Sequence, residues 1–182
     1  MRAALSLARA IDAINTFAGK AVSWLLLAAV LISAGNAVVR KALNVSSNAW
    51  LEAQWYLVSA VFLIAAAFTL LENEHVKVDL LYGKLSRKAQ IWIEILGITF
   101  FLFPFCAITI YLAAPVVLAK YASGEMSNNT GGLILWPAWA LIPAGFGLLF
   151  LQGLSELTKR IAILLGAAPD PVALADEQAA RL

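Results

Sequence analysis

Residues 50–71 read WLEAQWYLVSAVFLIAAAFTLL, and this stretch decides the fold. Its only charge, Glu52, lies near the start, and everything from Trp55 onward is apolar or weakly polar. A bilayer core of about 30 Å takes about 20 apolar residues to cross as a helix, and Trp50 to Leu71 is of that length. Three more runs of similar character flank it: Ala21–Val39, Ile91–Leu118 and Leu133–Leu151. Spans built around the four runs cover about 21–39, 50–71, 89–118 and 134–160. The reading is an all-α integral membrane protein with four transmembrane helices. The third span is long. A helix from Arg87 to Lys120 would extend about 50 Å, so tilt or protrusion is expected, with Pro104 and Pro115 as places to bend.

Composition agrees. Hydrophobic residues make up 62% of the 182-residue chain and charged residues 13%, against about 45–50% and 25% in soluble domains. The +2 formal charge is too small to point to nucleic acid. The N-terminal run is too long, and begins too late, for a cleaved signal peptide. One four-helix membrane domain over 1–165 and a flexible cytoplasmic tail over 166–182, with Pro169 and Pro171, account for the chain.

Lysine and arginine sort by segment. One set of alternate segments holds Arg2, Arg9, Lys20, Lys77, Lys84, Arg87, Lys88, Lys159, Arg160 and Arg181; the other holds only Arg40, Lys41 and Lys120. The basic-rich side is cytoplasmic by the positive-inside rule, which puts both termini inside. Leu7, Ile11, Ile14 and Ala18 recur at helical spacing, with Arg9, Asp12 and Thr16 on another face. An N-terminal amphipathic helix follows, lying on the inner surface or leading into the first span. Asn36, near the outer end of that span, reads as a headgroup-level residue. Ser47 or Asn48 is placed to cap the second span, and Trp50, Trp55 and Tyr56 suit an outer aromatic belt.

Several chemistries lack their residues. The single histidine, His75, cannot supply a bis-histidine haem site. The single cysteine, Cys106, lies within a span and reads as a small buried apolar side chain. No Walker motif, nucleophile elbow or metal-ligand cluster is present. Carriers gather polar groups and broken helices at mid-membrane. Here Glu52, Glu94 and Glu156 sit near span ends, and the middles of the spans carry no charge. The chain is therefore not a transport path by itself, and Glu94 and Glu156 read as interfacial carboxylates near Arg87, Lys88, Lys159 and Arg160. The densest polar segment, Glu72–Lys88, mixes acid and base, as a solvated turn or as a lock on helix ends or a partner.

At that segment the chain resembles the small membrane subunit of tripartite ATP-independent periplasmic (TRAP) transporters. The resemblance rests on Asn73-Glu74-His75-Val76-Lys77-Val78-Asp79 and Tyr82-Gly83-Lys84-Leu85-Ser86. It extends to Ser123-Gly124-Glu125-Met126-Ser127, Gly131-Gly132-Leu133, Trp136-Pro137, Leu141-Ile142-Pro143 and Trp50-Leu51-Glu52-Ala53-Gln54-Trp55, and covers about residues 15–165. It implies a non-enzymatic subunit of a sodium-coupled importer of organic acids in the bacterial inner membrane. The partners implied are a large multi-span subunit, which carries substrate and sodium, and a periplasmic substrate-binding receptor; membrane lipids surround both. This chain would scaffold the large subunit and hold no cofactor, substrate or metal itself. Glu52, Trp55, His75, Asp79, Glu125 and Trp136 are the expected structural or partner contacts, and Ala60, Ala65, Ala66 and Ala67 suit a close-packed face. The rival readings are a self-sufficient oligomeric channel or exporter, and a membrane enzyme or redox subunit.

Overall fold

The computed structural model describes residues 1–45, 47–72 and 85–170. His75 and Asp79, with the rest of residues 73–84 in the acid–base segment, lie outside the described residues.

Four helices are long and apolar enough to cross a membrane. Helix α1 runs unbroken over Arg2–Leu43 and ends where Asn44 turns left-handed at φ 54°. The amphipathic start and the first span are thus one helix. Helix α2 covers Asn48–Leu71. The third span starts as α3, Arg87–Gly97, where the Ser86 hydroxyl accepts the Ala89 N–H at 3.4 Å. It then passes through one π-helical turn, Ile98–Leu102, and continues as α4, Phe103–Ser123. Pro104 explains the wide turn: it has no N–H to return to Phe100, and the Phe103 N–H reaches back five residues to the Ile98 carbonyl. Arg87 to Ser123 is 37 residues, about 55 Å of helix. Helix α5 covers Trp136–Leu164, with Pro137 in its first turn and Pro143 inside it.

Helix α5 is the hub. It packs against α2, α4 and α1, while α1 also pairs along α2. Small residues set the distances, because helices in lipid associate by close packing rather than by escape from water. A Cβ on Gly145 would lie 2.7 Å from the Leu63 carbonyl oxygen, so α2 and α5 meet backbone to backbone. Gly153 receives Leu102 and Phe103, and Gly19 receives the Phe68 ring. Of the four alanines expected to face a neighbour, Ala60 and Ala67 are buried and Ala65 and Ala66 are half-buried. The innermost cluster joins Ala67, Cys106 and Leu149, with Phe146 and Phe150 around them. Large apolar side chains such as Phe62, Phe101 and Tyr111 point outward and are more than three-quarters exposed.

Beyond α5, Asp170 is tied back to the third span. Arg87 donates twice to Asp170, Nε to Oδ2 at 2.6 Å and Nη2 to Oδ1 at 2.9 Å. This bidentate pair ties Asp170 to the start of α3.

Candidate functional site at the two ends of the bundle

The buried polar side chains among the described residues are Asn15, Asn36, Glu52, Gln152, Ser155 and Glu156. They fall at the two ends of the bundle, and apolar residues fill the length between. One end carries a clasp formed by residues 124–135, and the other a polar network beside the N-terminal part of α1.

At the clasp end, Gly124 closes α4 at φ 61° and Gly131 turns at φ 70°, conformations that glycine adopts without cost. Between them the chain folds back on itself. Met126 bridges Ile134, the Ser127 N–H donates to the Leu133 carbonyl at 2.9 Å, and the Leu135 N–H donates to the Glu125 carbonyl at 3.0 Å. Asn48, Glu52 and Tyr56 recur every four residues and so lie on one face of α2. All three reach this loop. The Asn48 amide donates to the Thr130 carbonyl at 3.0 Å and the Tyr56 hydroxyl to the Ile134 carbonyl at 2.9 Å.

Glu52 is the centre of the clasp and is only 3% exposed. Its Oε2 accepts the Leu133 N–H at 2.6 Å, and its Oε1 accepts the Asn129 amide at 2.8 Å and the Ser127 hydroxyl. A carboxylate can be buried only with such donors around it. Gly132 is bound up in the same geometry: a Cβ there would lie 2.7 Å from the Ser127 Cβ and 2.9 Å from Glu52 Oε1.

Other expected contacts gather nearby. Lys120 pairs with the half-exposed Glu125 at 2.9 Å and stands 5.1 Å over the Trp139 ring. Trp136 meets Tyr121 edge to face at 5.4 Å, and the exposed Trp55 meets Tyr56 at 4.3 Å. Two expectations change. Neither Ser47 nor Asn48 caps α2: Ser47 holds the cap position without a side-chain bond, and the Asn48 amide is turned to Thr130. Asn36 is buried, not at headgroup exposure, and bounds a cavity of about 160 Å³ with Val39, Val45, Ser47 and Trp50.

The opposite end holds a network that the sequence reading missed. Gln152, Ser155, Glu156 and Lys159 follow the i, i+3, i+4, i+7 spacing of a single helix face on α5. They meet Asp12 and Asn15 of α1. Gln152 accepts from the Asn15 amide at 2.8 Å and donates to Asp12 at 2.9 Å and to Glu156 at 3.3 Å. The Ser155 hydroxyl donates to Asp12 at 2.7 Å, and Lys159 pairs with Asp12 at 3.2 Å and with Glu156. Arg160 joins Glu156 to Glu94 of α3. Glu94 and Glu156 are thus paired with basic residues near the span ends, as their positions in the sequence suggest. Asp12, expected on the polar face of an amphipathic helix, is turned toward α5. The available signal was polar spacing: Gln152, Ser155 and Glu156 form a polar stripe on an otherwise apolar helix.

What these two arrangements do chemically is cross-linking. Glu52, Gln152, Ser155 and Glu156 are bonded to other parts of the same chain, and no group of three or more His, Cys, Asp or Glu among the described residues is placed to hold a metal ion. The fold and its two polar ends define a four-span, all-helical membrane protein.

Comparison with protein families then identifies its kind. The family model described as "Tripartite ATP-independent periplasmic transporters, DctQ component" matches residues 29–162, well over half of the chain. The chain belongs to this family, the small membrane subunit of TRAP transporters. No curated protein and no solved structure matches it.

Proposed function

We propose that this chain is a brace: it anchors the stationary scaffold of a large transport subunit and carries neither substrate nor ion itself. The observation that supports this best is the distribution of the buried polar groups among the described residues, which lie toward the two ends. A carrier needs polar groups at mid-membrane. A brace needs helices that do not shift, and the clasp and the network each tie distant segments together. The exposed apolar faces then meet lipid or the large subunit.

In the full reading, the complex sits in the bacterial inner membrane with the clasp end periplasmic and both termini cytoplasmic. A periplasmic receptor delivers an organic acid, and a sodium gradient drives the large subunit. His75, Asp79 and Trp55 serve as partner contacts in this reading, since Glu52 is occupied within the chain.

Reconstitution tests it. Proteoliposomes with the large subunit, receptor and sodium gradient are expected to take up substrate only when this chain is present. Liposomes with this chain alone are expected to show no flux. Solute flux through the chain alone would overturn the brace and favour a self-sufficient channel.

A further inference from the structure

Between the N-terminal part of α1 and the far end of α5 lies a cavity of about 360 Å³ lined by Arg2, Leu5, Ala8, Arg9 and Lys159. Three of its five lining residues are cationic. Arg2, Leu5 and Arg9 lie on one face of α1 by spacing. Lys159 is already committed to Asp12 and Glu156. Arg2 and Arg9 differ: both are exposed, and neither makes an ion pair among the described residues. The carboxylates on the adjoining faces, Asp12 and Glu156, are taken up by Lys159, Gln152, Ser155 and Arg160. Two guanidiniums therefore stand at the rim of a cavity with no anion assigned to them.

Depth narrows the choice of anion. Lys159 lies more than six turns from Trp136 along α5, about 35 Å at 1.5 Å per residue, so it stands at the opposite bilayer surface. The floor between the arginines is Leu5 and Ala8, which suits the glycerol and upper acyl carbons of a lipid rather than a hydrated free ion. We propose that this cavity binds the phosphate headgroup of an acidic phospholipid, with Arg2 and Arg9 as the phosphate-binding pair and Lys159 at its inner wall. Guanidinium forks match phosphate oxygens in geometry, and basic pockets between membrane helices take anionic headgroups. The proposal does not depend on the brace reading, since it concerns the chain and the bilayer alone.

The test is native mass spectrometry of the full chain in mild detergent. It would be titrated with phosphatidylglycerol, phosphatidylcholine and inorganic phosphate in separate arms. Phosphatidylglycerol is expected to bind in preference to phosphatidylcholine. Each basic residue near a membrane surface contributes about fivefold, so R2Q and R9Q should each weaken phosphatidylglycerol binding about fivefold and the double variant about thirtyfold. R40Q/K41Q, at the other end of α1, should leave it unchanged. Equal binding of the two lipids, or unchanged binding by the double variant, overturns the proposal. Displacement of the lipid when millimolar inorganic phosphate is added to the phosphatidylglycerol complex would also overturn it, by making this a site for a soluble anion.

Discussion

Replacing Gln152 by leucine removes one of the residues that join α1 to α5 at the network end while keeping nearly the same volume. Gln152 is fully buried and makes three side-chain hydrogen bonds. Its loss strands the Asn15 amide, which is 1% exposed. It also takes one donor each from Asp12 and Glu156, although Ser155 and Lys159 still serve Asp12. Interhelical hydrogen bonds in membrane proteins average about 0.6 kcal/mol and reach about 1.7, whereas a buried group left unpaired costs about 1–3 kcal/mol. Taken together, Q152L should destabilise the chain by about 2–4 kcal/mol. The double variant N15L/Q152L removes both ends of the 2.8 Å bond, and replacing both partners with apolar groups is far less costly. A double-mutant cycle should therefore show a coupling of about 1–2 kcal/mol. Unfolding would be followed in mixed micelles of mild detergent and dodecyl sulfate. Thiol labelling at A8C, a site 2% exposed in the native chain, would report release of α1 from α5. A loss under about 0.5 kcal/mol for Q152L, or strictly additive single variants, would refute the claim that this network holds α1 in place.

Three further outcomes follow from the geometry. E52Q should loosen the clasp, because an amide cannot accept from all three donors; G132A should do the same by pressing on Ser127 and Glu52, and both should speed proteolysis within 124–135 while leaving helix content intact by circular dichroism. G145V should wedge α2 from α5, since the new side chain meets the Leu63 backbone at 2.7 Å; a cost of about 1–3 kcal/mol is expected in the same micelle assay, and wild-type stability would contradict the close crossing. A reporter fused after Asn128 should be active in the periplasm and one after Lys84 in the cytoplasm, with reversed labelling rejecting the assigned orientation.

Much of the architecture was legible because its signals are local. Apolar run length marks the spans, and Pro104 marks the place where the third span changes its turn. The π-helical turn answers a missing N–H, which is a property of one residue. Glu52 stood out as a charge at a span entrance. What stayed hidden were partnerships across long sequence separations. Asp12 and Ser155 are 143 residues apart, and neither is unusual where it stands. Asn48 resembles a helix cap until the loop is folded over it, and Asn36 resembles a headgroup residue until its neighbours enclose it.

The sequence by itself determined that four helices cross a membrane and that their middles carry no charge, because burial of a helix in lipid is decided residue by residue from transfer cost. Only the tertiary structure decided that the polar residues at the span ends turn inward on one another. A buried carboxylate is tolerable only when several donors converge on it, and that convergence exists only after α2 has met the clasp and α1 has met α5.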